Sequence, residues 1–257
     1  MKRILLFGAL LLLLLPSSRA GTEPLRFNTQ DFKPYSYEVN GVVSGPGTDI
    51  IRKVCKTMGT ACSFRLLPWP RAQHEVRKGE ANAMFVIGWN RERSQWLHFS
   101  PPVFVAEYGF FVRNDNPLDF KEVNDIKGYT VCVYGPSNTS NTLRMIKKEI
   151  KDLTIDMTTQ DESAFKKLSN RKSIDAVYSN RDVGYALIKQ HALTNIRYSG
   201  CHLKMKYYIG FSKQFNDKAV VDLFNKTYLK LYKNGSIREL LEQYSMEPAP
   251  IGEQTLP

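Results

Sequence analysis

The sequence contains none of the common catalytic signatures. It has no HExxH helix to hold a hydrolytic zinc, no GxSxG elbow to present a serine nucleophile, and no Walker loop to cradle a nucleoside triphosphate. Histidine is scarce, with His74, His98, His191 and His202 spread along the chain, and His74 reads as a surface residue of a short helix. Cysteine is as scarce, with Cys55, Cys62, Cys132 and Cys201 and no CxxC pair. His and Cys do not cluster, which argues against a zinc site. No cofactor motif is present. Internal repeats and low-complexity tracts are also lacking, which excludes solenoids, collagen and a mainly disordered chain. The mean hydropathy of −0.35 excludes a protein of many membrane spans.

The one long apolar run lies at the start. Met1-Lys2-Arg3 is basic, residues 4–15 are apolar and rich in Leu, Pro16 breaks the run, and Ser18-Arg19-Ala20 ends in small residues. That order is the signature of a cleavable secretory leader over residues 1–20. The run is shorter than the roughly 20 residues a spanning helix needs. No Cys follows the cleavage point, so a lipid anchor is not indicated. Cleavage after Ala20 removes Lys2, Arg3 and Arg19 and lowers the formal net charge from +11 to +8. The remaining Lys and Arg are spread in short runs such as Lys147-Lys148, the pattern of a solvated surface. No nucleic-acid partner is expected.

Export makes the cysteines readable as disulfides. Four cysteines allow three pairings. Cys55 and Cys62 sit close together where a helix gives way to a strand, and pairing them leaves Cys132 with Cys201.

Short apolar, β-prone runs alternate with helical spacing throughout. Residues 25–29, 63–67 and 82–87 read as strands, with intervening helices started by Thr48 and Pro70 and stopped by Gly59 and Gly79. Residues 103–112 form a longer apolar run, after which a second α/β series begins: strands at 130–134, 153–157, 174–178 and 202–212, and a helix at 140–150. Two helices close the chain, the second capped by Ser236. Repeated βα units imply mostly parallel sheets flanked by helices, here in two lobes with a ligand between them.

Candidate ligand contacts fall at strand ends. Phe32, Tyr35, Trp69 and Trp89 offer aromatic faces. Arg93 can clamp a carboxylate through two parallel hydrogen bonds. The stretch Tyr134-Gly135-Pro136-Ser137-Asn138-Thr139-Ser140 joins a strand to a helix whose first amides and hydroxyls suit an anion.

With these residues in place the chain resembles the extracellular solute-binding proteins of family 3, receptors of polar amino acid ABC transporters. Phe32-Lys33-Pro34-Tyr35-Ser36-Tyr37 is similar to the family's opening aromatic loop, and Lys78-Gly79-Glu80-Ala81-Asn82-Ala83 to its GKxDA segment. Arg91-Glu92-Arg93 followed by Phe99-Ser100-Pro101-Pro102 resembles TPER…FSDPY, and Asp125-Ile126-Lys127-Gly128-Tyr129-Thr130-Val131 resembles DLKGKxVGV. Ile174-Asp175-Ala176-Val177 resembles xDAVxxD. The order and spacing of these fragments carry the resemblance; each alone is weak.

The resemblance implies an α/β fold of the type 2 periplasmic binding class, a two-lobed Venus flytrap with two mostly parallel sheets and a two-strand hinge. Lobe one would comprise residues 21–110 and 208–257, and lobe two residues 111–207. Cys55 and Cys62 also match the disulfide of the histidine and lysine-arginine-ornithine binders. By the same resemblance Arg93 holds a ligand carboxylate, Phe32 and Trp69 sandwich the side chain, and Ser137 and Asn138 help from lobe two. Asn180 falls where the family carries an aspartate for the α-ammonium. Trp89 and Asn90 replace small residues after the third strand, and Arg71 is brought near the cleft. The implied protein is a monomeric periplasmic receptor, not an enzyme, working with an ABC permease or a membrane sensor. Some relatives are cyclohexadienyl dehydratases, but that chemistry needs a positioned acid or base, and sequence pattern names none.

Overall fold

Strand and helix alternate from Leu25 to the end of the last helix in the computed structural model, which describes residues 23–170 and 173–252. The expected leader, residues 1–20, lies outside them. The first series runs β1 (Leu25–Thr29), β2 (Tyr37–Val39), β3 (Val42–Ser44), α1 (Pro46–Met58), β4 (Cys62–Leu66), α2 (Trp69–Lys78), β5 (Ala83–Gly88), α3 (Arg91–Trp96) and β6 (Leu97–Phe99). A long strand, β7 (Phe104–Arg113), leads to the second series: β8 (Thr130–Tyr134), α4 (Asn138–Glu149), β9 (Thr154–Thr158), α5 (Asp161–Asn170), β10 (Ala176–Asn180) and α6 (Arg181–Gln190). A second long strand, β11 (Ile196–Ser212), leads back to α7 (Lys218–Lys233) and α8 (Ser236–Glu242).

Local sequence explains most of these boundaries. Helix α1 buries Ile50, Ile51 and Val54 on one face, and Gly59 ends it in the left-handed region (φ 71°), where a side chain would be strained. The helix starts earlier than Thr48: Pro46 occupies its first turn and the Thr48 hydroxyl donates back to the Ser44 carbonyl. Likewise Gly235, not Ser236, is the N-cap of α8. Strand β5 is buried at all six positions, as a central strand covered on both faces must be.

The strand order is β4-β1-β5-β11-β7-β10-β8-β9, with β6 beside β11. Pairings β1–β4, β1–β5, β8–β10 and β8–β9 are parallel. The two parallel groups meet through β7 and β11, which pair antiparallel from Ile196↔Arg113 to Tyr207↔Phe104. Because β11 also pairs with β5, the chain returns to its first half, where α7 and α8 pack on α1 and Phe224 meets Phe27 at 6.0 Å. β7 and β11 therefore link the two parallel groups of strands.

Cys55 and Cys62 are bonded, tying the end of α1 to the start of β4. Cys132 and Cys201 are not; both are free. Cys132 lies on β8 and Cys201 on β11, with β7 and β10 between them. Adjacent strands are about 4.8 Å apart, so three steps exceed the roughly 7 Å that a disulfide can bridge between Cα atoms. Instead Cys132 packs in an apolar cluster with Phe111, Phe165 and Val177.

Candidate functional site

A small cavity of about 40 Å³ sits where the two halves meet over β7 and β11. The first half contributes Phe32, Trp69 and Arg93, and the second contributes Tyr134, Ser137, Asn138 and Asn180. Seven of the residues expected from sequence are thus brought to one place.

Arg93 is its cation. The first turn of α3 is held by Asn90, whose Oδ1 accepts from the Arg93 amide at 2.8 Å. Arg93 is only 6% exposed. Its Nη1 donates to the Gly88 carbonyl at 2.9 Å and its face lies 5.6 Å from the Trp69 ring. No carboxylate pairs with it among the described residues. Burial pulls its pKa below the ordinary arginine value, the sign of a charge short of compensation. Opposite, α4 points its N-terminus into the cavity. The Ser137 hydroxyl is committed to structure there: it accepts from the Ser140 amide and donates to the Tyr134 carbonyl at 2.6 Å. The amide dipoles of that turn favour a negative group.

Asn180 lines the cavity, but its amide oxygen is fully occupied. Oδ1 accepts from the Asp182 and Val183 amides at 2.8 and 3.1 Å, capping α6. Nδ2 donates to the Tyr207 hydroxyl at 3.1 Å, and Tyr207 donates to the Tyr108 hydroxyl at 3.1 Å. This chain ends on Tyr108 at the cavity wall, whose pKa burial pushes up to about 12. Neither tyrosine was legible from sequence, because both lie inside strands where alternation reads as core.

Asp161, the first residue of α5, was also missed. It lines the cavity and accepts from the Ser179 hydroxyl at 3.0 Å. Burial raises its carboxyl to about 6 and the Ser179 bond only partly offsets that. A strand-to-helix junction after a parallel strand was the available signal.

Four expected residues do not line the cavity. Tyr35 is buried behind it, stacked on Phe32 with its hydroxyl donating to Asp182 at 2.8 Å. Arg71 lies along the outside of α2, pairing with Glu75 at 3.0 Å. Asn90 acts one step away: its Nδ2 donates across the cleft to Asn138 Oδ1 at 2.9 Å. Trp89, 45% exposed, lines a shallow concavity of about 1180 Å³ along α7. Side chains alternate along a strand, so with Gly88 facing the cavity, Trp89 faces away. That concavity is larger, but residues of the second half do not reach it.

Several side-chain hydrogen bonds join residues of the two halves. Besides Asn90 to Asn138, Tyr134 donates to Gln30 at 3.3 Å and Lys33 to Gln190 at 3.0 Å. Gly88 lies close against the second half: a Cβ there would lie 2.4 Å from Asn138 Nδ2 and 2.6 Å from Met205 Cε, the ends of two flexible side chains. Outward, the cavity adjoins a chamber of about 370 Å³, the two sharing Gln30, Phe32, Trp69, Tyr134 and Asp161. Among the described residues no three His, Cys, Asp or Glu gather as a metal site, and no helix is long and apolar enough to cross a membrane.

Comparison with known proteins identifies the family. The model of the bacterial extracellular solute-binding proteins, family 3, matches residues 26–247. The chain belongs to that family. The probable amino-acid-binding protein YxeM of Bacillus subtilis is 26% identical over 83% of this chain and 80% of its own. The arginine-binding periplasmic protein of Mannheimia haemolytica is 22% identical over 80% and 84%. Among solved structures, a histidine kinase sensor domain similar to periplasmic binding proteins superposes with a TM-score of 0.80, covering 90% of this chain and all of that one at 21% identity. These structural neighbours share the type 2 periplasmic binding fold.

Proposed function

We propose that this family 3 chain is an exported receptor that captures a small carboxylate-bearing solute, an amino acid or close analogue, and delivers it to an ABC importer. The observation that carries the reading is Arg93: a buried guanidinium facing a cavity, hydrogen-bonded to the Gly88 carbonyl and lacking a carboxylate partner among the described residues. A buried charge is stabilised only when paired and hydrogen-bonded, and a ligand carboxylate supplies both. Phe32 and Trp69 would flank the ligand, and the first turn of α4 at Asn138 and Thr139 would face its negative end. The moving bodies would be residues 21–110 with 208–257 and residues 111–207, hinged on β7 and β11. The leader would place the receptor in the periplasm, with the mature chain starting at Gly21.

The test is calorimetric titration of the mature protein with amino acids and with the corresponding amines that lack the carboxylate. Binding by the acids alone is expected; equal binding by the amines would exclude Arg93 as the anchor. The likeness to a histidine kinase sensor domain supports a second reading, a receptor for a membrane sensor. Loss of solute uptake in a deletion strain favours the importer, and loss of a transcriptional response favours the sensor.

A further inference from the structure

We propose that Asp161 receives a cationic nitrogen of the ligand, in place of Asn180, so that the cargo is an amphoteric solute held between Arg93 and Asp161. The inference rests on the reading that Arg93 holds a carboxylate.

Three observations lead to it. First, Asn180 has no acceptor left to offer: both lone pairs of its Oδ1 serve the Asp182 and Val183 amides, and its Nδ2 presents hydrogens, which repel an ammonium. Second, Asp161 is the carboxylate that lines both the inner cavity and the adjoining chamber. Its hydrogen-bond partner is Ser179, and no Lys, Arg or His forms an ion pair with it among the described residues. Third, Tyr108 lines the same cavity as Arg93 and Asp161, so both charges border one space. An unpaired cation from the α3 side and an unpaired anion from the α5 side therefore face one cavity. A ligand bearing both charges neutralises both.

The other acids of the chamber are less suited. Glu162 is engaged by Lys166 and lies 3.6 Å from His191. Asp31 is exposed at the chamber rim beside Lys33. A purely structural role for Asp161, favouring the N-terminus of α5, would affect melting and leave ligand choice unchanged.

The experiment titrates the mature wild-type protein and Asp161→Asn with six probes. L-Arginine, L-glutamine, L-norvaline and 5-guanidinopentanoate are amphoteric, the last without an α-ammonium; pentanoate has no cation; agmatine lacks the carboxylate. For amphoteric probes that bind, D161N is expected to weaken affinity about 10- to 100-fold, the loss of one charged hydrogen-bonded contact. Asp161→Glu is expected to recover part of it, and melting of the unliganded variants checks folding. If D161N weakens arginine and norvaline alike, the α-ammonium is the group held; if it weakens arginine and 5-guanidinopentanoate but spares norvaline, it is the side-chain cation. Unchanged affinity for every amphoteric probe, or binding of pentanoate but of no amphoteric probe, overturns the inference while the Arg93 reading stands. Binding by agmatine equal to arginine, or by no carboxylate probe, overturns both.

Discussion

Replacing Arg93 by methionine separates the charge it supplies from the space it fills. The guanidinium is buried, accepted by the Gly88 carbonyl and stacked toward Trp69, with no carboxylate partner. Methionine removes one hydrogen bond, worth about 1.5–3 kcal/mol when charged, and a cation–π contact of about 0.5–2 kcal/mol. It also removes the cost of a buried, uncompensated charge, which is of the same size or larger. The unliganded protein should therefore keep its melting temperature within a few degrees, since about 1 kcal/mol moves a domain of this size by about 2–4 °C.

Ligand binding should not survive so well. Truncating one partner of a buried, hydrogen-bonded charge pair costs about 2–5 kcal/mol, or roughly 30- to several thousand-fold in Kd. With wild type at a hundred times its Kd, ligand adds about 2.7 kcal/mol of stability. If Kd rises about a hundredfold, the same concentration adds only about 0.4 kcal/mol by the same relation, close to the resolution of a melt. The assay is differential scanning fluorimetry of R93M and wild type with and without a bound amino acid, paired with calorimetry. R93M that melts like wild type and gains the same increment from ligand would refute the assignment.

Four further outcomes follow from the geometry. Asp161 binds its proton more tightly folded than unfolded, its carboxyl rising from 3.8 to about 6 through burial, so its contribution is present below about pH 4 and lost as pH rises through 6. At about 1.4 kcal/mol per pH unit, the advantage of unliganded D161N over wild type should grow by up to about 3 kcal/mol between pH 4 and 7, read by urea denaturation; a pH-independent difference would contradict it. Gly88→Ala should displace the ends of the Asn138 and Met205 side chains and so break the Asn90–Asn138 hydrogen bond, weakening ligand binding while leaving the X-ray scattering profile unchanged; unchanged affinity would be inconsistent with that contact. Thiol titration should find two free thiols, Cys201 reacting in the folded protein and Cys132, whose buried thiol is pushed up to about 11 by desolvation, only after unfolding, while Cys55→Ser with Cys62→Ser should cost about 2.5 kcal/mol, the chain-entropy value for so short a loop.

Much of this protein was legible before folding. The βα alternation, the apolar face of α1 and its glycine stop are local features, set by periodicity and by the conformational freedom of single residues. The Cys55–Cys62 bond was legible too, because seven residues of separation bring a helix end to the start of the next strand. Arg93, Phe32 and Trp69 could be placed because they sit at strand ends, where loops gather at one edge of a parallel sheet.

What the sequence could not decide is which way side chains point once distant segments meet. Trp89 and Gly88 are neighbours, yet one faces the back of α7 and the other the cavity, since a strand alternates its faces. Cys132 and Cys201 read as a pair until the strand order set two strands between them. Asn180 read as a weakened ligand contact, but the turn into α6 claims its oxygen as a cap. Tyr108 and Tyr207 reach the site only because the crossing strands run beneath it. Sequence alone determined the elements and the family; the pairing of β7 with β11 decided which charges share one cavity, because that choice depends on contacts between residues about a hundred positions apart.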